Sequence, residues 1–203
     1  MANTSSTVNA LDFKVVVLGP ASVGKTSIIH RYCNGVFQKD TLSTIGAGFF
    51  THSLNIDNDE ITLLLWDTAG EERFRSVAPS LLRGANGLIL VFDLTSPQSF
   101  EDLNIYLEMF LDVVQVDLSC QLPILILGNK SDLGNQEVSD EVVEAWAQKN
   151  SIVLSYKVSA KTGENVKEAI DELVNLLLKP IQTNDRPLLQ LMPVPATEKR
   201  SCC

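Results

Sequence analysis

The chain has 203 residues, 45% of them apolar and 20% charged, the make-up of an ordinary globular protein and not of a disordered one. Its 16 Lys and Arg stand against 25 Asp and Glu, a net charge of −9, so neither nucleic acid nor an anionic lipid surface meets a general basic face. The four cysteines, Cys33, Cys120, Cys202 and Cys203, form neither a disulfide framework nor a zinc spacing. No apolar run approaches the ~18 residues of a membrane span, and the polar start has no secretory pattern. A reducing compartment such as the cytosol is expected.

In chain order, short β-rich apolar runs are expected at Phe13–Leu18, Phe49–Ile56, Ile61–Trp66, Gly87–Phe92, Pro123–Leu127 and Ile152–Val158. Amphipathic stretches of helical length lie at Thr26–Tyr32, Pro97–Val114, Asp140–Lys149 and Val166–Leu178. Continuous apolar runs such as Leu88-Ile89-Leu90-Val91-Phe92 imply strands buried on both faces, as in a parallel sheet covered by helices. The triplet Asp57-Asn58-Asp59 between the second and third runs predicts an antiparallel hairpin. The expected fold is α/β: a six-stranded, mostly parallel sheet with one antiparallel edge strand and helices on both faces. Residues 1–11 and 180–203 read as flexible arms flanking a body of 12–179, the second arm carrying Pro180, Pro187, Pro193 and Pro195. Leu188-Leu189-Gln190-Leu191-Met192 forms an apolar island within it.

Gly19-Pro20-Ala21-Ser22-Val23-Gly24-Lys25-Thr26 fits G-x-x-x-x-G-K-[ST] between a buried strand and a helix. Backbone N–H groups from Ala21 through Ser27 and the helix dipole converge there on an anion. Lys25 can reach β/γ oxygens, and the Thr26 hydroxyl can bind Mg²⁺. Asp67 ends the third strand beside this loop, where a metal ligand is needed, and the Gly70 N–H can approach a γ-phosphate. Asn129-Lys130-Ser131-Asp132 follows the fifth run. One carboxylate, Asp132, can accept the paired N1–H and N2–H₂ donors of guanine, a pair adenine lacks. Asn129 can bond the N7 region and tie loops together, while the Lys130 stem can cover a ring face. A backbone N–H of Ser159-Ala160-Lys161 can meet guanine O6.

In this order the motifs resemble the Ras superfamily of small GTP-binding proteins, P-loop NTPases, and within it the Rab branch, over about residues 12–179 and the last two residues. Ser43-Thr44-Ile45-Gly46, Leu65-Trp66-Asp67-Thr68-Ala69-Gly70, Glu72-Arg73-Phe74-Arg75-Ser76, Arg83-Gly84-Ala85 and Val91-Phe92-Asp93-Leu94-Thr95 carry the likeness. The resemblance implies a GTP/GDP switch of vesicle traffic with Mg²⁺, hydrolysing GTP slowly. Thr44 is then the switch I threonine, on Mg²⁺ through its hydroxyl and on the γ-phosphate through its N–H. Phe37 covers the guanine edge, and residues 71–83 form switch II. Lys25 and Thr44 join the residue at position 71 as the catalytic set. Phe49, Trp66 and Leu81 face effectors, with leucine at a position usually aromatic in Rabs. Cys202 and Cys203 resemble the doubly prenylated Rab terminus. The implied partners are an escort protein with prenyltransferase, a GDP-dissociation inhibitor, an exchange factor, a GTPase-activating protein, effectors and a membrane reached through lipid. Ile45-Gly46-Ala47 and Ala78-Pro79 look more like early-endosomal Rabs than secretory ones; the expected location is the cytosolic face of intracellular membranes, endosomal ones favoured, and the cytosol.

Two departures fall on hydrolysis. Glu71 stands where the family has its water-positioning glutamine; an ionised glutamate can accept from the water but cannot donate to the γ-phosphoryl group, and it can either polarise the water as a better base or repel the transition-state charge. Ala21 adds a β-carbon where the family often has Gly or Ser. A GTP-held recruitment module with little hydrolysis is the alternative these two residues motivate. A P-loop kinase or ATPase is disfavoured by Asp132.

Overall fold

A computed structural model describes residues 10–39, 44, 46–56, 59–68, 78–114 and 122–179; of Ala78 and Pro79 only the backbone is described. The chain runs β1 (Ala10–Leu18), α1 (Lys25–Asn34), β2 (Ala47–Ile56), β3 (Asp59–Thr68), α2 (Ala78–Leu82), β4 (Gly87–Asp93), α3 (Pro97–Glu101), α4 (Leu103–Val114), β5 (Ile124–Asn129), α5 (Asp140–Lys149), β6 (Leu154–Lys157) and α6 (Val166–Leu178). The strands form one six-stranded sheet in the order β2-β3-β1-β4-β5-β6. Only β2 is antiparallel to its neighbour, its pairing with β3 running from Ala47↔Thr68 to Ile56↔Asp59, as the hairpin reading expects.

The reason for the parallel core is visible along β4. All seven of its residues are buried, so it needs an apolar cover above and below. One cover is α1 with α6, where Ile28, Ile29, Ile170 and Leu173 pack on Val15, Val17, Ile89 and Leu127. The other is built from α2 to α5, where Leu82, Leu103, Phe110 and Ala147 pack on Val16, Leu90, Phe92 and Ile126. Each fully buried large side chain stabilises the fold by about 1.5–3 kcal/mol relative to exposure. Alternate residues of one strand feed opposite layers, so the sheet is held rigidly and its loops project from a fixed edge.

Several boundaries differ from the sequence reading. Strand β1 begins at Ala10, taking Ala10 and Leu11 into the body, because Ala10 and Leu11 pair with Glu60 and Ile61. The stretch Pro97–Val114 is two helices, not one. Asp102 lies between them, its N–H bonding Gln98 O at 3.0 Å, and a further bond runs from Ile105 N–H to Asp102 O at 3.0 Å, a tighter i→i+3 turn. Strand β5 runs on through Gly128 to Asn129, and β6 is shorter than expected. Helix α2 adds an element within the segment read as switch II.

Candidate nucleotide site

The carboxyl ends of β1, β3, β4 and β5 and the loop after β6 bring most of the sequence-predicted residues to one rim. The loop after β1 is fixed by its two glycines. Gly19 has φ 146°, and a β-carbon there would lie 2.1 Å from the Val91 carbonyl oxygen of β4. Gly24 has φ 98°, and a β-carbon there would lie 2.3 Å from Asn129 Nδ2. Both positions therefore demand glycine on backbone and on space. Ser22 between them is also left-handed, with φ 63°, and Val23 is buried. Gly24 caps α1 without a side-chain hydrogen bond, so the helix's first N–H groups are not satisfied by a capping side chain.

Lys25 is buried, and its ammonium donates to the carbonyls of Gly19 (2.8 Å) and Pro20 (2.7 Å) within its own loop. Burial lowers its pKa to about 8, while Asp67 pulls the other way. Across from it, the Thr26 hydroxyl donates to Asp67 Oδ2 at 2.6 Å. The Thr44 hydroxyl lies 2.7 Å from that of Thr26, within hydrogen-bond distance, and also bonds the Asp67 carboxylate. Thr26, Thr44 and Asp67 thus meet although they lie on α1, the segment before β2 and the end of β3. The other carboxylate oxygen, Asp67 Oδ1, is buried with no hydrogen-bond partner among the described residues. Burial raises the Asp67 pKa against the lowering effects of the Thr26 hydroxyl and Lys25. Hydroxyl and carboxylate oxygens around an under-satisfied buried anion fit a hard divalent cation such as Mg²⁺.

The opposite half is built differently. Asn129 donates from Nδ2 to Val23 O at 2.7 Å and accepts at Oδ1 from Ala160 N–H at 3.1 Å, joining the loop after β1 to the loop after β6. Asp132 accepts from the Ser159 hydroxyl at 2.7 Å and from Lys161 Nζ at 3.1 Å. First the Ser159 bond, and then Lys161, hold its carboxyl below the usual carboxylate range despite some desolvation. Lys130 is left-handed, with φ 68°, and its ammonium pairs with Asp93 Oδ2 at 2.6 Å. Asp93 in turn accepts from the N–H and hydroxyl of Thr95. Arg31 on α1 donates to Ala160 O, Lys161 O and Gly35 O.

A model of the Ras family matches residues 14–179. Ras-related protein Rab-7b of Mus musculus is 35% identical over 195 residues, which are 95% of this chain and 97% of that protein. The Ypt/Rab-type GTPase ypt7 of Schizosaccharomyces pombe is 38% identical over 174 residues, 85% of each chain. Ras-related protein Rab-9A of Rattus norvegicus is 35% identical over 195 residues, 94% of this chain and 96% of that protein. The chain belongs to the Rab family of the Ras superfamily. It is a Rab GTPase, a GTP hydrolase that binds GTP, GDP and Mg²⁺ and works in trafficking with regulators and effectors of the Rab kind.

Of the positions predicted for this Rab, Ala21, Ser22, Val23, Gly24, Lys25, Thr26, Ser27, Thr44, Asp67, Asn129, Lys130, Asp132, Ser159, Ala160 and Lys161 fall along the rim just described. Phe37 is partly exposed beyond the end of α1. Phe49 and Trp66 are register partners on β2 and β3, with rings edge-to-face at 5.2 Å, and Phe49 is 53% exposed. Lys14 Nζ sits 4.8 Å from the Trp66 ring centroid and donates to Arg83 O. Leu81 is half-buried on α2. Gly70, Glu71, Cys202 and Cys203 lie outside the described residues. The expected O6 donor is narrowed, because Ala160 N–H is spent on Asn129. Two participants escaped the sequence reading. Asp93 had a usable signal, a carboxylate at the carboxyl end of a fully buried strand; Arg31 had none, since its acceptors lie up to 130 residues away.

Proposed function

We propose that this Rab is a lipid-anchored GTP/GDP switch of endosomal vesicle traffic whose hydrolysis is slow and depends on an activating protein. The observation that carries the switch reading is the contact of Thr44 with Thr26, itself bonded to Asp67, which ties the segment before β2 to the phosphate end of α1. In this reading Thr26, Thr44 and Asp67 hold Mg²⁺, which when bound supplies positive charge against the developing charge of the phosphates. Backbone N–H groups of Ala21 to Ser27 cradle the phosphates, and Lys25 leaves the Gly19 and Pro20 carbonyls for β/γ oxygens. Asp132 accepts the paired donors of guanine, Asn129 fixes the loops around the base, and the Lys130 stem and Phe37 cover its faces. The N–H groups of Thr44 and Gly70 hold the γ-phosphate in the GTP state alone. Loss of that phosphate frees switch I and residues 71–83, and effectors on Phe49, Trp66 and Leu81 leave.

Glu71 sets the hydrolytic behaviour by its chemistry. Lacking the amide donor, it orients water without stabilising the γ-phosphoryl oxygens, and Ala21 crowds the same region. An activator that brings both arginine and glutamine makes this tolerable. Single-turnover hydrolysis tests the idea: Glu71→Gln is expected to raise the unassisted rate about tenfold, with the activator narrowing the gap. A parent as fast as ordinary Rabs and indifferent to the substitution would defeat it. Protein purified with GTP bound, inert even to the activator, would favour the recruitment-module reading instead.

The tail carries the anchor. Each buried CH₂ of a lipid contributes about 0.8 kcal/mol, and two chains hold where one does not. With Asp185, Arg186, Glu198, Lys199 and Arg200 the tail has almost no net charge, so lipid on Cys202 and Cys203 does the work. The escort protein with prenyltransferase installs it, and the GDP-dissociation inhibitor extracts it. Mass spectrometry of cell-derived protein is expected to find both thiols prenylated; two free thiols would remove the anchor.

A further inference from the structure

Arg31 is the one side chain in the described site that reaches three backbone carbonyls from two separate segments. Its Nε donates to Ala160 O at 2.9 Å, Nη2 to Lys161 O at 2.6 Å and Nη1 to Gly35 O at 2.7 Å. The Gly35 N–H returns a bond to Arg31 O at 3.0 Å, closing α1. A guanidinium presents its donors in a fixed planar fork, so three bonds of this quality set the relative position of both segments.

The consequence follows from peptide geometry. In a trans peptide the C=O and N–H are coplanar and point in opposite directions. Holding Ala160 O on Arg31 therefore turns the N–H of the same peptide unit, that of Lys161, to the side away from α1. The adjoining peptide is pinned too, since Ala160 N–H bonds Asn129 Oδ1 at 3.1 Å. With Asn129 and Arg31 gripping successive peptide units, the direction of the Lys161 N–H is fixed before any ligand arrives. We propose that Arg31 is a positioning residue that aims the Lys161 N–H at guanine O6 and, through Gly35, holds the chain leading to Phe37 against the base. This rests on the reading of Asp132 and its neighbours as the guanine pocket.

The test uses Arg31→Met, which keeps the stem, and Arg31→Lys, which keeps the charge but not the fork. Tyr32→Phe is the control, because it removes the 3.0 Å bond from the same helix to Asp171 without touching the loop after β6. Full-length protein is titrated with GDP, 6-thioguanosine diphosphate, whose sulfur is a poorer acceptor at position 6, and inosine diphosphate, which lacks only the N2 amine. The parent is expected to prefer GDP over both analogues. Both Arg31 variants should weaken GDP by about tenfold, the scale of one lost hydrogen bond. They should weaken the thio analogue less, while the preference over inosine diphosphate stays. Equal weakening of all three nucleotides, as a merely loosened helix gives and as Tyr32→Phe is expected to give at most, overturns the proposal. So does an unchanged preference for GDP over the thio analogue in both variants. A parent that discriminates against neither analogue overturns the guanine-pocket reading itself, whereas a parent that rejects only inosine diphosphate leaves Asp132 in place and removes the O6 contact.

Discussion

In the proposed nucleotide site, the phosphate half and the base half meet at Asn129 and are opposite in their electrostatics. In the phosphate half the charged groups are poorly served by the protein. Burial pushes the Lys25 ammonium down to about 8 and the Asp67 carboxyl up, and Asp67 Oδ1 has no partner among the described residues. Their hydrogen bonds turn inward, to loop carbonyls and to neighbouring hydroxyls. In the base half the reading carboxylate is well served. Ser159 and Lys161 hold Asp132 below the usual range, and Asn129 and Arg31 fix the loop that carries Ser159. A ligand bringing phosphate and a cation relieves the first half, while the second half is already arranged and only accepts or rejects. On the proposed reading, affinity therefore comes mainly from one half and identity from the other.

That division is tested hardest by Asp132→Asn. Xanthine carries a carbonyl where guanine has its 2-amine, so an amide that accepts from N1–H and donates to that carbonyl matches xanthine and mismatches guanine. GDP affinity is expected to fall about 10³–10⁴-fold, the scale on which a hydrogen-bonding site rejects the wrong partner. Xanthosine diphosphate should recover most of the loss, with the Mg²⁺ dependence unchanged, because Asp67, Thr26 and Lys25 are untouched. Competitive titration of the two nucleotides with and without Mg²⁺ measures this. If the substitution also abolishes the Mg²⁺ effect, the halves are not separable.

What could be seen in the sequence follows the same line. Residues that act through their own loop were legible: Gly19, Gly24 and Lys25 fall within one seven-residue stretch, and strand-then-loop-then-helix is a local pattern. The sheet was legible because β1, β4 and β5 are apolar on both faces, a property of consecutive residues. Contacts made across the fold were not. Arg31 reads as one polar residue in an amphipathic helix, and only the packing of α1 against α6 places it under the loop after β6. The split of Pro97–Val114 escaped for a related reason, since Asp102 keeps helical φ and ψ (−63°, −19°) and only the hydrogen bonding tightens. The start of β1 was missed because Ala10 and Leu11 gain strand character from pairing with β3, not from their own composition.

A smaller change probes whether the arranged state of the base half matters at all. Ser159 is fully buried, donates to Asp132 Oδ1 at 2.7 Å and accepts from Thr162 N–H at 3.1 Å. Ser159→Ala removes the largest single influence that lowers the Asp132 pKa. Guanine needs the ionised carboxylate, since a protonated one loses an acceptor. Asp67, whose carboxyl is raised by burial, and the terminal phosphate of GDP lose affinity in acid in both proteins alike, so the ratio of variant to parent affinity reads Asp132, which the depressed pKa keeps charged through the ordinary carboxylate range in the parent. In the variant the pKa rises, so the acid loss of affinity begins at a higher pH. At pH 7 both carboxylates are ionised, and the cost reduces to one hydrogen bond, about fivefold in affinity. Titrations from pH 4 to 7, with circular dichroism at each pH to separate unfolding, read both effects. A ratio of the two affinities that does not change with pH would mean that Ser159 packs the loop without tuning Asp132, and the base half would then be no better arranged than the phosphate half.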